Sequence, residues 1–159
     1  MKKKLQKLLK NQKGLTLVEL LAVVVILGII AAIAVPSIAG IIDNSKKDAH
    51  IANAEQMIGA ARLAVAANDV KFDADNEVEL TLQGLTQLGY LEEGLEDPDS
   101  GNPYTPADSK VVIKKTNGSG TTAGTIDYTV TLVGSERSIT GQKQAGLIRD
   151  NVVENTPAP

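Results

Sequence analysis

Hydrophobic residues follow three different patterns along this chain. From Leu20 to Ile42 no residue is charged and nearly all are apolar. As a helix rising about 1.5 Å per residue, this run would be roughly 34 Å long, enough to cross a bilayer core of about 30 Å. From Asp43 to Asp69 apolar residues recur with a helical period, and from Lys110 onward they alternate with polar residues. This order predicts an α+β protein in which one long helix, first apolar and then amphipathic, packs on a small antiparallel sheet.

The second half of the predicted helix carries an apolar stripe. Ile51, Ile58 and Val65 recur every seven residues, which keeps them on one helix face. Neighbours on the same face widen the stripe: Ala54, Met57, Ala61 and either Leu63 or Ala64. We expect this stripe to pack against the small domain that follows the helix. The helix should end near residues 68–69. We expect His50 to be a surface residue and Met57 a packing residue, and neither to be a ligand.

Short elements follow the long helix. Residues 73–79 are polar and acidic and are predicted to form a loop. Thr81 can cap a short helix that ends at Gly89 and presents three leucines on one side: Leu82, Leu85 and Leu88.

The last third of the chain shows the period of two that is typical of strands. We predict strands at residues 110–114, 125–133 and 137–140, with a Gly/Ser/Thr loop at 117–124. Residues 145–153 are ambiguous between a strand and a short helix, and 155–159 are expected to be a loose tail. In the second strand one face is predicted to carry Ile126, Tyr128, Val130 and Leu132, and the other face Asp127, Thr129 and Thr131.

Charge is distributed unevenly around the apolar run. Lysines without any acid precede it (Lys2, Lys3, Lys4, Lys7, Lys10 and Lys13), which predicts a cytoplasmic N-terminus and an external head. Glu19 stands at the membrane edge, where a carboxylate costs about 2.5–3.5 kcal/mol on insertion scales. From the residues alone, Glu19 either lies shallow among the headgroups or meets a partner. Pro36 removes one helical hydrogen bond, so a kink is expected there.

These N-terminal residues resemble those of a known family. The sequence KGLTLVE at residues 13–19, with the apolar run and Pro36 after it, is similar to the N-terminus of type IV prepilins and pseudopilins with a class III leader. The resemblance implies that a prepilin peptidase cuts between Gly14 and Leu15 and N-methylates Leu15, which departs from the commoner Phe. It also implies that Glu19 neutralises the new amine of a neighbouring subunit and sets its register. Pro36 would be the family's helix-kinking proline.

A polar stretch in the middle of the chain is the one candidate for a metal. Residues 97–106 are turn formers throughout and resemble a loop of type II secretion major pseudopilins, some of which bind calcium nearby. The oxygen ligands that calcium needs are available from Asp97, Asp99, Asn102 and Asp108, but their spacing does not match an EF-hand. We therefore expect a structural turn, with a calcium loop as the alternative, and assign no cofactor.

Composition narrows the possible functions. The chain has no cysteine and one histidine, so no disulfide, thiolate site or histidine-based catalytic constellation is expected, and we predict that it is not an enzyme. Many Gram-negative members of the family that the chain resembles close their C-terminal region with a disulfide, so the lack of cysteine mildly favours a Gram-positive source. Six of the sixteen basic residues lie in the leader, so the rest has ten basic against nineteen acidic side chains, a formal charge of −9. That charge disfavours broad DNA binding by the subunit itself.

Together these features predict a structural subunit of a type IV pilus-like filament. The expected segments are a leader (1–14), a membrane and filament-core helix (15–42), an amphipathic helical half (43–69), an α+β head (70–154) and the tail (155–159). The expected partners are copies of itself and other pilins, the prepilin peptidase, and an assembly platform with its ATPase. The subunit would be a single-pass membrane protein before it joins a cell-surface or wall-spanning filament.

Alternatives stay open at this stage. The subunit would serve a pilus, a DNA-uptake pseudopilus or a type II secretion pseudopilus, and DNA would be a partner only through the assembled system. A membrane-anchored external binding domain that never polymerises is the other class. An ordinary secretory signal cut after residues 32–34 also competes, but the apolar run exceeds the usual 7–15 residues and contains Glu19 near its start.

Overall fold

The structure is a computed structural model and describes residues 2–92, 95–117 and 124–155, with side chains from Leu17 onward. Two compact units divide the chain, residues 1–43 and 44–159. Helix α1 (Lys2–Ala66) contributes to both units. Two predicted segments lie outside the described residues, namely the tail beyond Asn155 and most of the loop at 117–124. The surroundings of Gly14 and of the Leu15 side chain are not described either.

In the first unit, α1 continues through Pro36, and the predicted kink stays a prediction. Its large apolar side chains, from Leu17 to Ile42, are each at least 52% exposed. The helix is long and apolar enough to span a membrane. Because water would contact apolar side chains on every side, such a helix is stable only where lipid or other protein surrounds it.

The second unit, residues 44–159, contains the amphipathic half of α1 together with the predicted α+β head, and this whole unit is called the head from here on. Its described strands form one antiparallel meander in the order β1-β2-β3-β4-β5, namely β1 (Glu77–Thr81), β2 (Lys110–Thr116), β3 (Thr125–Val133), β4 (Arg137–Lys143) and β5 (Val152–Glu154). The short helix α2 (Leu82–Gln87) follows β1, and two 3-10 turns, Gln144–Gly146 and Arg149–Asn151, precede β5. A register shift between Val130 and Leu132 interrupts the pairing of β3 with β4.

The core of the head lies between the amphipathic half of α1 and the sheet. The predicted stripe is confirmed, since its centre is buried: Ala54, Met57, Ile58, Ala61 and Ala64. Leu63 is exposed, so Ala64 is the stripe residue. The other walls of the core come from α2, from strands β2 to β5 and from the connecting segments, and they include Leu85, Tyr104, Val111, Ile113, Val130, Leu132, Ile139 and Val152. The small alanines allow close approach of the helix to the other core residues.

Most predictions for the ends of helices and for short segments in the head are confirmed. Thr81 caps α2, and its hydroxyl accepts a hydrogen bond from the Gly84 amide at 3.0 Å. Gly89 adopts a positive φ of 78° after the helix, as a helix-ending glycine does. Helix α1 ends at Ala66, and Asn68 takes a positive φ of 60° just beyond it. The ambiguous segment near the C-terminus contains the two 3-10 turns and then β5.

Three predictions about the head were wrong. The segment 73–79 is not all loop, because Glu77 begins strand β1 and pairs with Lys114 of β2. Leu88 is exposed rather than packed beside the other leucines of α2, because the helix ends at Gln87. His50 does not lie on the surface, because its side chain is fully buried beneath the loop that connects α2 with β2.

Candidate functional site

The residues predicted for processing and assembly lie in the first unit. Gly14 and Leu15 lie within α1, ahead of the described side chains. Glu19 is exposed and is flanked on the helix by exposed Leu17, Val18 and Leu20. Among the side chains that the structure describes, none forms an ion pair with Glu19. Any partner for this carboxylate must therefore come from the undescribed N-terminal side chains or from another molecule.

A group of polar side chains around His50 is buried in the head. His50 of α1 lies with its ring between two residues of the α2–β2 loop: its Nε2 atom is 3.0 Å from Asp99 Oδ2, and its Nδ1 atom is 2.7 Å from the Tyr104 hydroxyl. Asn53, one turn along α1, donates to the Tyr104 hydroxyl at 3.2 Å. These contacts, together with the fully buried ring of Tyr104, fasten the loop to the helix.

Asp99 carries the charged part of this group. Its buried carboxylate accepts a hydrogen bond from Arg137 of β4 at 2.9 Å, and Lys46 of α1 lies 3.3 Å from the same oxygen, Oδ1. The other oxygen faces His50. One carboxylate therefore joins the helix, the loop and the sheet, and the two cations compensate charges that would be costly to bury unpaired.

Asp97 is the second buried carboxylate. Its Oδ2 atom accepts hydrogen bonds from the Ser135 amide at 2.7 Å, the Ser135 hydroxyl at 2.5 Å and the Ser100 hydroxyl at 3.2 Å. Its Oδ1 atom accepts from the Asp99 amide at 2.9 Å. Burial alone would raise the pKa of Asp97, but the hydrogen bonds from Ser135 and the Asp99 amide outweigh it and hold the pKa below its ordinary value.

The proton on Tyr104 follows from its surroundings. Burial raises the pKa of the phenol well above its ordinary value, and the charges of Asp97 and Asp99 raise it further against the opposing hydrogen bond from Asn53. The phenol therefore stays neutral, and its hydroxyl shares a hydrogen bond with Nδ1 of His50. Asn53, Tyr104, His50 and Asp99 form one chain of buried hydrogen bonds.

The predicted calcium residues are only partly brought together. Asp97 and Asp99 lie in one buried group with His50, and ligand atoms of these three residues lie within 4.8 Å of one another. Asn102 and Asp108 are exposed, and Asp108 is outside that group. Sequence reasoning missed His50, Arg137 and Ser135 as members of this site. A lone histidine beside an apolar stripe was the available signal, but nothing local pointed to its partners.

The fold defines an α+β protein whose apolar N-terminal helix fits a membrane anchor. Residues 9–35 match the family described as the prokaryotic N-terminal methylation motif. This motif, with its class III leader, is typical of type IV pilins and pseudopilins, and the match confirms the resemblance found at residues 13–19 and in the apolar run after them. No curated protein and no solved structure matches the chain. The motif implies processing by a prepilin peptidase and pilus-type assembly, and the family signal points to a structural rather than an enzymatic protein.

Proposed function

We propose that this chain is a structural subunit of a type IV pilus-like filament. The observation that carries the proposal is that the methylation motif lies on a helix whose apolar side chains are exposed all round. A membrane anchor needs only the apolar run, whereas the motif adds a cleavage site and a carboxylate at its start. Cleavage between Gly14 and Leu15, with methylation of the Leu15 amine, would leave the helix ready to bundle with copies of itself.

In this proposal Glu19 sets the register of each subunit. After cleavage the amine of Leu15 is a cation at the start of an apolar helix, and Glu19 of another subunit is the matching anion. A carboxylate placed unpaired in an apolar core costs about 2.5–3.5 kcal/mol. At about 1.4 kcal/mol per tenfold change, this corresponds to roughly a hundredfold loss of association per subunit. A subunit in a shifted register would leave the carboxylate unpaired at that cost, so the pairing favours one register.

Two measurements test the proposal. First, mass spectrometry of the chain from cells that contain a prepilin peptidase should show methylated Leu15 as the first residue. A chain that keeps residues 1–14 in those cells, or that begins at Val35, contradicts it. Second, Glu19→Ala and Glu19→Gln should each reduce the sheared filament fraction at least tenfold. The matched control is Glu55→Ala, which removes an exposed carboxylate from the head half of the same helix and should leave the yield unchanged.

The second experiment separates the proposal from its alternative. A membrane-anchored external domain that does not polymerise has no use for a carboxylate at Glu19, so neither substitution would change its amount or location. Within the filament proposal, the chain would serve a surface pilus, and a pseudopilus for DNA uptake or type II secretion is the alternative. Deletion of the gene, followed by assays of surface filaments, DNA uptake and secreted proteins, distinguishes the three.

A further inference from the structure

We propose that the head contains a site for one transition-metal ion of the Zn²⁺ type. Its ligands would be Nε2 of His50, Oδ1 of Asp97 and Oδ2 of Asp99. The Nε2 atom is 3.0 Å from Asp99 Oδ2 and 3.6 Å from Asp97 Oδ1. Ligand atoms about 2.1 Å from a common ion and arranged tetrahedrally are about 3.4 Å apart. Both distances from Nε2 are thus close to those that a metal would impose, and ligand atoms of all three residues lie within 4.8 Å of one another.

In each ligand residue, the polar side-chain atom that would not bind the ion contacts a neighbouring residue. Nδ1 of His50 meets the Tyr104 hydroxyl at 2.7 Å, Oδ1 of Asp99 meets Arg137 at 2.9 Å, and Oδ2 of Asp97 meets the Ser135 amide at 2.7 Å. Metal-binding histidines and carboxylates are oriented in this way by outer partners. The side chains of all three ligand residues are at most 1% exposed, so their geometry is fixed before an ion arrives.

Binding would fix the tautomer of the ring. An ion at Nε2 needs the lone pair of that atom, so the ring proton would lie on Nδ1, which faces the Tyr104 hydroxyl. Remaining coordination positions would be filled by water from the polar depression beside Asp97, which is also lined by Ala49, Asn53, Pro98 and Gly101.

The donor set and the nearby charges select the class of ion. Calcium takes six to eight oxygen ligands, whereas this site offers one nitrogen and two carboxylate oxygens, a set suited to zinc and its neighbours. Arg137 and Lys46 already compensate part of the carboxylate charge, so they oppose an incoming cation. Lys46 is about one-third exposed, and removal of its charge should therefore strengthen metal binding without exposing the core.

Calorimetric titration of the full chain in detergent micelles with Zn²⁺ tests the site. We expect saturation at one ion per chain, at least tenfold weaker binding in His50→Gln, and at least threefold tighter binding in Lys46→Met. Lys115→Met removes an exposed positive charge from the end of β2 and should bind Zn²⁺ as the parent does. Ca²⁺ at the same concentrations should give no saturable heat. Equal affinities of the parent and His50→Gln for Zn²⁺, or weaker binding in Lys46→Met, would overturn the proposal.

A second measurement needs no variant. Because the chain has a single histidine, labelling with ¹⁵N-histidine gives the NMR signals of one ring. With one equivalent of Zn²⁺, the Nε2 signal should move to the position of a metal-bound nitrogen and the ring proton should be on Nδ1. Ring signals that stay unchanged in a tenfold excess of Zn²⁺ would overturn the proposal, whatever the effect of the substitutions on folding.

Discussion

The substitution Asp97→Asn tests whether the buried carboxylates hold the head together. The side chain is almost unchanged in size, but one oxygen becomes an NH₂ group. The carboxylate accepts from the Ser135 amide on one side and from the Asp99 amide on the other. Whichever way the new amide is turned, its NH₂ group faces a backbone N–H, and a buried donor is left without an acceptor.

The expected cost follows from those contacts. Hydrogen bonds to a charged group contribute about 1.5–3 kcal/mol each, and a buried donor left unpaired costs about 1–3 kcal/mol. Because Asp97 is only 1% exposed, bulk water does not reach the unpaired donor in the metal-free head. We therefore expect Asp97→Asn to lower the free energy of unfolding of the head by about 2–4 kcal/mol. Asp108→Asn, on the exposed part of the same loop, should change it by less than about 0.5 kcal/mol.

Urea unfolding of the full chain in detergent with a chelator present provides the measurement. Tyrosine circular dichroism is a suitable signal, because all three tyrosines, at positions 90, 104 and 128, belong to the head. The chelator removes any contribution from bound metal. If Asp97→Asn and Asp108→Asn unfold at the same urea concentration with the same slope, the buried carboxylate does not stabilise the head and the reasoning fails.

Three further predictions concern the head. Met57→Ala should lower the free energy of unfolding by about 2–5 kcal/mol, because Met57 is fully buried. Leu63→Ala on the exposed side of the helix should change the free energy of unfolding by less than about 0.5 kcal/mol. Equal losses for the two variants in urea unfolding would contradict the orientation of the helix. Thr81→Ala should cost about 1 kcal/mol through loss of the helix cap, and no loss in the same assay would show that the cap bond does not form. Tyr90 donates to Asp69 at 2.5 Å, and this bond raises the pKa of Tyr90. The folded head therefore favours the neutral phenol, and this stabilisation is present at neutral pH and is lost as the pH rises beyond the ordinary value of about 10. In a spectrophotometric titration, Asp69→Asn should lower the pKa of one phenol, and a curve that superimposes on that of the parent contradicts this.

The elements of the fold were largely readable from the sequence, because each depends on neighbours along the chain. The apolar stripe on α1, the Thr81 cap and the alternation in β3 are local patterns, and the structure contains all three. Strand β1 was missed although its polar and apolar residues also alternate, because its first half falls in a polar and acidic stretch that predicts a loop. Its charged side chains Glu77 and Glu79 gain partners only when Lys114 and Lys110 of β2 lie beside them. No local pattern specifies that pairing.

The apolar run, the processing motif and the α+β order of elements follow from the sequence alone, because hydropathy and period are properties of contiguous residues. The folded chain was needed to show that His50 is buried against Asp99, which lies 49 positions away, and that Arg137 reaches the same carboxylate from 38 positions further on. Such contacts depend on the path of the α2–β2 loop and on the position of β4 against the helix. Nothing in the local sequence around any one of these residues encodes that geometry.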